Sequence, residues 1–159
     1  ESSEVADFWS MLQGFQTSGK CVDKAHYRIR YMKSFRPISV KEDMEFKEAR
    51  PILYLNMAAV ASLFNSRNMN ATANRSNWST IMSYLKSHSS YLGLKQDRFT
   101  ILLPSGLPDY SIEIVNNEQV RKVKVNRPKA LCFDYLQLKE AFGLELETEV
   151  ITDVQDSED

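Results

Sequence analysis

Apolar residues spaced three and four apart predict helices in four parts of the chain. The first begins near Ser2 or Ser3, with Trp9 on its apolar face, and stops before Gly19. The others are expected to follow Asn56, to open at Ser76, and to span the stretch "LQLKEAFG". Asn and Ser cap helix starts and Gly ends helices, so the boundaries agree with the spacing.

Alternation with a period of two predicts strands elsewhere. In "HYRIRYMKSF", Tyr27 and Ile29 alternate with Arg28 and Arg30, which indicates a half-buried strand with a basic outer face. "DRFTILLP" and "DYSIEIVN" are predicted to pair as a hairpin joined by "SGLP". Further strands are expected in "ILYLN", "QVRKVKVNRP" and "KALCFDY", whereas the charged segment 36–51 is expected to be a loop or an edge hairpin.

The order of these elements predicts an α+β fold that is winged-helix-like, with three to four helices and a small antiparallel sheet. The loop 65–77 is longer than the three or four residues of a strict helix-turn-helix. Residues 1–147 are expected to form this single domain. Residues 148–159 are expected to form an acidic, flexible tail.

Length and composition are those of one globular domain of 159 residues, with 43% hydrophobic and 26% charged residues. No apolar run approaches the roughly 20 residues that cross a bilayer, and no signal peptide is visible, so we expect a cytoplasmic protein without membrane contact. Cys21 and Cys132 are far apart and compatible with a reducing compartment. The sequence does not begin with Met, and we expect it to be part of a longer protein.

Charge is distributed unevenly behind a net charge of −1. Segment 67–98 carries five basic residues against Asp97, and segment 121–129 carries five basic residues and no acid. The end reverses the balance, because segment 134–159 has nine acids against Lys139. The pattern predicts a local electropositive surface. The alternative is charge balancing for solubility.

Hydroxyl, amide and basic side chains are the groups that bind phosphates and base edges of nucleic acids. On the third helix and its approach, the candidate contacts are Arg75, Asn77, Thr80, Ser83 and Lys86. Beside the hairpin they are Lys95 and Arg98. On the later strand they are Arg121, Lys122, Lys124 and Arg127. The alternative for the helix is an ordinary solvated face. For the strand, phosphate binding and simple solvation remain open.

Catalytic signatures are missing from the sequence. The five glycines form no phosphate-binding loop, and neither His26 nor His88 has metal-ligand spacing. We therefore predict no catalytic residue, metal or cofactor. His26 either senses pH or binds an anion together with Arg28 and Arg30, or is a strand-edge histidine without a role.

Three stretches resemble the tails of virulence-associated-E-like and primase–helicase proteins of phages and mobile elements. They are "EVADFWSMLQGFQTSGKCVDKAHYRIRY", "LKSHSSYLGLKQDRFTI" and "RPKALCFDYLQLKEAFGLELE". The resemblance implies a C-terminal accessory domain of a replication protein, with the NTPase and primase sites on other parts of that protein. Together with the basic and polar side chains above, it favours a non-catalytic accessory domain that binds DNA. It assigns no DNA contact or catalytic residue. The alternative is a protein-interaction or structural domain that docks on the parent ATPase core or on another acidic partner, including the acidic tail in cis.

Overall fold

The computed structural model describes residues 3–68 and 78–148, and the helices and strands within them form a mixed α+β fold. In chain order the elements are α1 (Ser3–Thr17), β1 (Tyr27–Phe35), β2 (Met44–Asn56), α2 (Met57–Asn68), α3 (Trp78–Ser87), β3 (Tyr91–Gln96), β4 (Phe99–Thr100), β5 (Tyr110–Val115), β6 (Glu118–Val123), β7 (Val125–Asn126), β8 (Lys129–Asp134) and α4 (Tyr135–Phe142). The α+β class and the expectation of three to four helices with a small antiparallel sheet are confirmed.

A four-stranded antiparallel sheet in the order β1-β2-β8-β3 forms the centre of the molecule. Its two inner strands, β2 and β8, are almost entirely buried where they pair. Because successive side chains of a strand point to opposite faces, Leu53 and Leu55 enter one apolar cluster while Ile52 and Tyr54 enter another. The sheet is therefore covered on both faces.

The helices cover the first face, and their predicted apolar stripes form the larger cluster with it. Phe8 stacks on Phe64 with ring centroids 4.8 Å apart, and Trp9 meets Phe133 edge to face at 5.0 Å. Leu85 of α3 is fully buried in the same cluster. The helix faces predicted from apolar spacing are confirmed here. The predicted start of the third helix at Ser76 lies outside the described residues.

The second face is covered by the segment 97–100 instead of by solvent. Arg30 makes two hydrogen bonds, of 2.7 and 2.8 Å, to the Asp97 carboxylate, and Arg28 Nη1 donates to the Arg98 carbonyl at 2.8 Å. Arg28 is only 5% exposed. The predicted basic outer face of this strand is thus wrong, because a distant segment crosses it.

The strand pairing decides two other sequence expectations. Of the loop and the edge hairpin expected in 36–51, the edge hairpin is confirmed, because β2 begins at Met44 and pairs with β1, the outer strand of the sheet. The hairpin expected across "SGLP" is reduced to a single bridge between Leu102 and Pro108. β5 pairs instead with β6, through a two-residue turn in which Asn116 and Asn117 have φ of 53° and 68°. Positive φ at both positions is the type I′ geometry that Asn favours.

The last described segment closes the helical layer. α4 ends at Gly143, whose φ of 66° is the left-handed helix stop that its sequence position predicts. Leu144 and Leu146 are buried, and Tyr135 Oη accepts a hydrogen bond from the Leu146 backbone at 2.9 Å. Among the described helices, none has the length and hydropathy needed to span a bilayer. Most of the predicted acidic tail, residues 149–159, lies outside the described residues.

Candidate nucleic-acid interface

The polar side chains predicted on the third helix lie on the outer side of the helical layer. Thr80, Ser83 and Lys86 are exposed, while Ile81, Met82 and Leu85 face the core. Arg75 and Asn77 lie outside the described residues. Within the described part of α3, the sequence-predicted contacts thus consist of two hydroxyls and one cation.

The basic segments 95–98 and 121–127 lie side by side. β4 and β7 pair Phe99 with Asn126 and Thr100 with Val125. Backbone hydrogen bonds continue on both sides, because Ile101 N donates to the Lys124 carbonyl at 2.9 Å and Asp97 N donates to the Pro128 carbonyl at 3.3 Å. The side chain of Gln96 adds a hydrogen bond of 3.2 Å from Nε2 to the Arg127 carbonyl. Two clusters separated by more than twenty residues of sequence therefore form one surface.

One cavity on this surface, the Arg98 pocket, joins the two segments. It measures about 260 Å³ and is lined by four cationic residues, Lys24, Arg28, Arg98 and Lys122, with Phe99, Thr100, Val123 and Val125. Arg98 and Lys122 come from the two predicted clusters. No carboxylate of the described chain lines this pocket, so its electrostatic potential favours an anion.

A second cavity, the Lys95 pocket, joins the same segments further along. It measures about 440 Å³ and is lined by Arg36, Lys95 and Arg127, with Pro37, Ile38, Ser39, Val40 and Gln96. Lys95 Nζ donates to the Arg36 carbonyl at 3.1 Å and lies 5.3 Å from the Phe35 ring centroid. Lys95 pairs with Ala130, whose side chain belongs to the cluster on the second sheet face. The pocket therefore lies on the face opposite to α3.

Two predicted contacts on the later strand have partners of their own. Lys124 Nζ is 3.4 Å from the Asp109 carboxylate, which offsets part of its charge. The Arg121 guanidinium lies 4.2 Å from the Tyr110 ring centroid, a cation–π distance. Arg121 and Lys122 also point to opposite faces of the β5–β6 hairpin, because they are consecutive in a strand. The five charges of 121–129 are thus shared among several surfaces.

Three of the cations that line the pockets were not among the predicted nucleic-acid contacts: Lys24, Arg28 and Arg36. Arg28 was named only as an anion ligand together with His26 and Arg30. Arg28 was assigned to a solvent-facing strand surface, and Arg36 to a loop or an edge hairpin, so neither was connected with the basic clusters. Their positions become visible only when β1 and the segment 96–100 are known to lie together. Lys24 gives no signal in the sequence, since its place in the Arg98 pocket depends on the hydrogen bond from Thr100 N to its carbonyl.

Apolar side chains are also exposed close to this surface, on the β5–β6 hairpin. Ile112 is 64% exposed and Ile114 is 66% exposed. They share one hairpin face with Tyr110 and Arg121, because the ladder pairs Ile112 with Arg121 and places Ile114 two residues on. This apolar face borders the basic surface.

Nucleophilic and metal-binding chemistry has little support in the described residues. Both cysteines are buried, and burial together with the nearby Asp23 raises the pKa of the Cys21 thiol to about 12. Burial likewise raises the pKa of Cys132. The thiolate, which is the reactive form, is therefore scarce at neutral pH. Across residues 3–68 and 78–148, the His, Cys, Asp and Glu side chains form no group of three or more that could hold a metal ion.

No protein-family model matches the sequence, and comparison with curated proteins and with solved structures gave no match. The resemblance to phage and mobile-element replication proteins therefore stays a prediction.

Proposed function

We propose that this domain binds nucleic acid, mainly through phosphates, on the face that carries the Arg98 and Lys95 pockets. The observation that supports the proposal is that seven cations line two cavities along the paired segments 95–100 and 122–127. Of these cations, Arg36 also lies 3.6 Å from the Asp43 carboxylate, and Arg28 is 5% exposed. Arg and Lys side chains at such a surface neutralise phosphates and release counterions, which is the main source of affinity for nucleic acids. Lys95 and Arg127 line one cavity and Arg98 and Lys122 line the other, and we propose these four side chains as the centre of the interface.

The test is binding of the domain to a labelled duplex and a labelled single strand by fluorescence anisotropy over a series of salt concentrations. The slope of log K against log salt is expected to be about −3 or steeper, since each neutralised phosphate adds about −0.7 to −0.9. Absence of binding to both probes at low salt would refute the proposal.

Paired substitutions locate the contacts. Arg98→Gln with Lys122→Gln empties the Arg98 pocket of two charges, and Lys95→Gln with Arg127→Gln does the same for the Lys95 pocket. Each pair is expected to flatten the slope by roughly 1.4 to 1.8, the share of two phosphates. The matched control, Lys47→Gln with Lys139→Gln, removes two exposed charges that line neither pocket and should leave the slope unchanged.

The participation of α3 is tested separately by Lys86→Gln. In a winged-helix-like arrangement, α3 would be the recognition helix and the β5–β6 hairpin the wing. Because α3 lies on the sheet face opposite to the Lys95 pocket, this form requires a second contact surface on the nucleic acid. In that form, Lys86→Gln flattens the salt slope by about one phosphate and Thr80 and Ser83 contribute to binding. If the slope stays unchanged, the interface is confined to the basic pockets.

The biological setting that we propose is an accessory role in a phage or mobile-element replication protein, with DNA as the partner. It rests on the three resembling stretches and on the absence of a phosphate-binding glycine loop from the sequence. The parent's primase and helicase activities would then belong to other parts of that protein. Loss of origin-dependent replication by the two paired pocket variants in the parent, with the control pair active, is the expected result.

The second candidate function is protein interaction through the β5–β6 hairpin, and its exposed Ile112 and Ile114 favour it. The domain would then dock on the ATPase core of the parent protein or on another acidic partner. Arg121, on the same hairpin face, would contact that partner beside the two isoleucines. A photo-crosslinking amino acid at Ile112 is expected to capture that partner in the intact parent. The same group at Leu136, which is 46% exposed on α4, is the control.

A further inference from the structure

A cleft beside the Arg98 pocket, here called the His26 cleft, has the size of a small-molecule site. Its volume is about 650 Å³, within the roughly 300–1,000 Å³ typical of ligand pockets. Four parts of the chain form it: the loop 19–26, the start of α2 with the preceding Asn56, the turn 100–106, and the segment 126–128. Among its lining residues, only His26 was given a functional role from the sequence, as a pH sensor or an anion ligand.

His26 gives the cleft a hydrogen-bond donor at Nε2. The residue is 8% exposed, and its Nδ1 accepts a hydrogen bond of 2.9 Å from the Val22 backbone. That bond assigns the neutral tautomer with the proton on Nε2. Burial lowers the pKa of His26, which keeps this form at neutral pH. Among the described residues, no partner for Nε2 is present, and the side chain lines the cleft. A bound acceptor atom would satisfy it.

The remaining walls combine apolar and polar groups. Leu63, Ile101 and Pro128 supply apolar surface, while Ser62 and Asn126 supply hydroxyl and amide groups. No carboxylate from the described residues lines the cleft. A flat ligand with apolar faces and acceptor atoms at its edge fits such walls, and a nucleobase has both properties.

The cleft also adjoins the cationic surface. Thr100 lines both the His26 cleft and the Arg98 pocket, and its backbone N donates to the carbonyl of Lys24, which lines the Arg98 pocket. A phosphate in the Arg98 pocket would therefore be next to any group held in the cleft. A nucleotide has its phosphate and its base close together, so a nucleotide with an unpaired base would place its phosphate in the Arg98 pocket and its base in the cleft.

From this juxtaposition we infer that the domain binds single-stranded nucleic acid and holds one unpaired base in the His26 cleft, with His26 Nε2 donating to an acceptor on that base. The inference rests on the proposed nucleic-acid binding and adds its strandedness and a base site. A base in a duplex would first have to leave its stack and its partner, so the cleft selects single strands.

The experiment compares a labelled single strand with an abasic strand of equal length, which keeps the phosphates and lacks the bases. The domain is expected to bind the base-containing strand at least about fivefold more tightly, the value of one hydrogen bond of about 1 kcal/mol. Ser62→Trp should fill the cleft, abolish this preference, and leave binding of the abasic strand unchanged. Asn65→Trp, an exposed position on the same helix outside the cleft, is the matched control.

Equal affinity of the wild-type domain for the two strands overturns the inference while nucleic-acid binding stands. A preference that persists in folded Ser62→Trp also overturns it. If neither strand binds, the base site and the proposed function both fail. Should Ser62→Trp not fold, the imidazole ¹⁵N resonances of the wild type decide instead. The His26 Nε2 resonance is expected to shift with the base-containing strand and to stay in place with the abasic one.

Discussion

At the scale of single residues, arginines on one strand have different roles that sequence alone does not separate. Arg30 is committed to a partly buried ion pair with Asp97, whose side chain is 8% exposed. Arg28, two residues earlier, donates to the Arg98 carbonyl and also lines the Arg98 pocket. The segment that covers the second sheet face is thus fixed by the same strand that contributes a cation to the surface.

Asp97→Asn is expected to lower the free energy of unfolding by about 3 to 5 kcal/mol, because removal of one member of a buried ion pair leaves the other charge poorly compensated. Asp97 also accepts a hydrogen bond from Arg98 N at 2.7 Å. Urea denaturation measures the loss. Asp109→Asn, in the more exposed pair with Lys124, is the control and should cost no more than about 1 kcal/mol. Equal effects of the two substitutions would contradict this assignment.

Among the five glycines, Gly93 leaves the least space for a side chain. Its φ is 134°, and an added Cβ would lie 2.6 Å from Cβ of Pro37. Gly93→Ala is expected to destabilise the protein by about 2 kcal/mol or more, since the strained backbone alone costs about 1 to 3 kcal/mol. Gly14→Ala in α1 meets no atom within 4 Å and should stabilise by about 0.5 to 1 kcal/mol. Thermal denaturation of both variants tests the opposite signs.

At the scale of helices and strands, the sequence pattern correctly predicted those features that depend on neighbouring residues. The buried face of α1, the start of α2 after Asn56 and the end of α4 at Gly143 follow from spacing and caps, which act within a few residues. The sequence left segment 36–51 open between a loop and an edge hairpin, so it did not decide the extension of β2 back to Met44. Its charged alternation is equally typical of a solvated loop, and pairing with β1 decides between them.

The candidate site was predictable only in part for the same reason. The basic composition of 95–98 and 121–127 is visible in the sequence, and the structure brings these segments together through the β4–β7 ladder. That pairing joins residues more than twenty positions apart, and a two-residue strand has no periodicity to detect. Lys24 and Arg36 are added by contacts that are still more distant in sequence.

The β5–β6 hairpin is expected to open independently of the rest, because its apolar residues are exposed and bury little surface. Asn117→Gly should slow amide hydrogen exchange in 110–123, since Asn-Gly is the preferred type I′ turn. Asn117→Val should accelerate it, as a β-branched residue at positive φ costs about 1 to 2 kcal/mol. Exchange in β8 should not change in either variant. A shift of β8 exchange would mean that the hairpin supports the sheet.

At the scale of the whole molecule, the central sheet contributes side chains to two apolar clusters, one on each of its faces. Loss of the layer on either face would therefore expose β2 and β8 to solvent. The helical layer is built largely from aromatic and aliphatic packing. The opposite layer depends more on hydrogen bonds and ion pairs made by Arg28, Arg30 and Asp97. Conditions that alter charge are therefore expected to act first on the layer that carries the basic pockets.

Global stability should depend on pH through His26. Burial lowers the pKa of His26 below its ordinary value of 6.5, so the unfolded chain binds this proton more readily than the folded one. The free energy of unfolding is then expected to be constant above pH 6.5 with respect to this group, and to decline as the pH falls from 6.5 toward the folded-state pKa. Urea titrations of the wild type and of His26→Gln check this. Identical pH dependence in both would exclude His26 as the cause.

The two-residue turn of the β5–β6 hairpin is also a position where the chain can accept inserted residues. Six residue pairs at about 3.4 Å each make a ribbon about 20 Å long whose tip is Asn116-Asn117. Exposed tips of this kind tolerate inserted segments better than other parts of a fold. A peptide tag, a reporter or a whole additional module placed between these two residues would leave the sheet and its pockets intact. The same site offers evolution a position for fusing new recognition elements beside the basic surface.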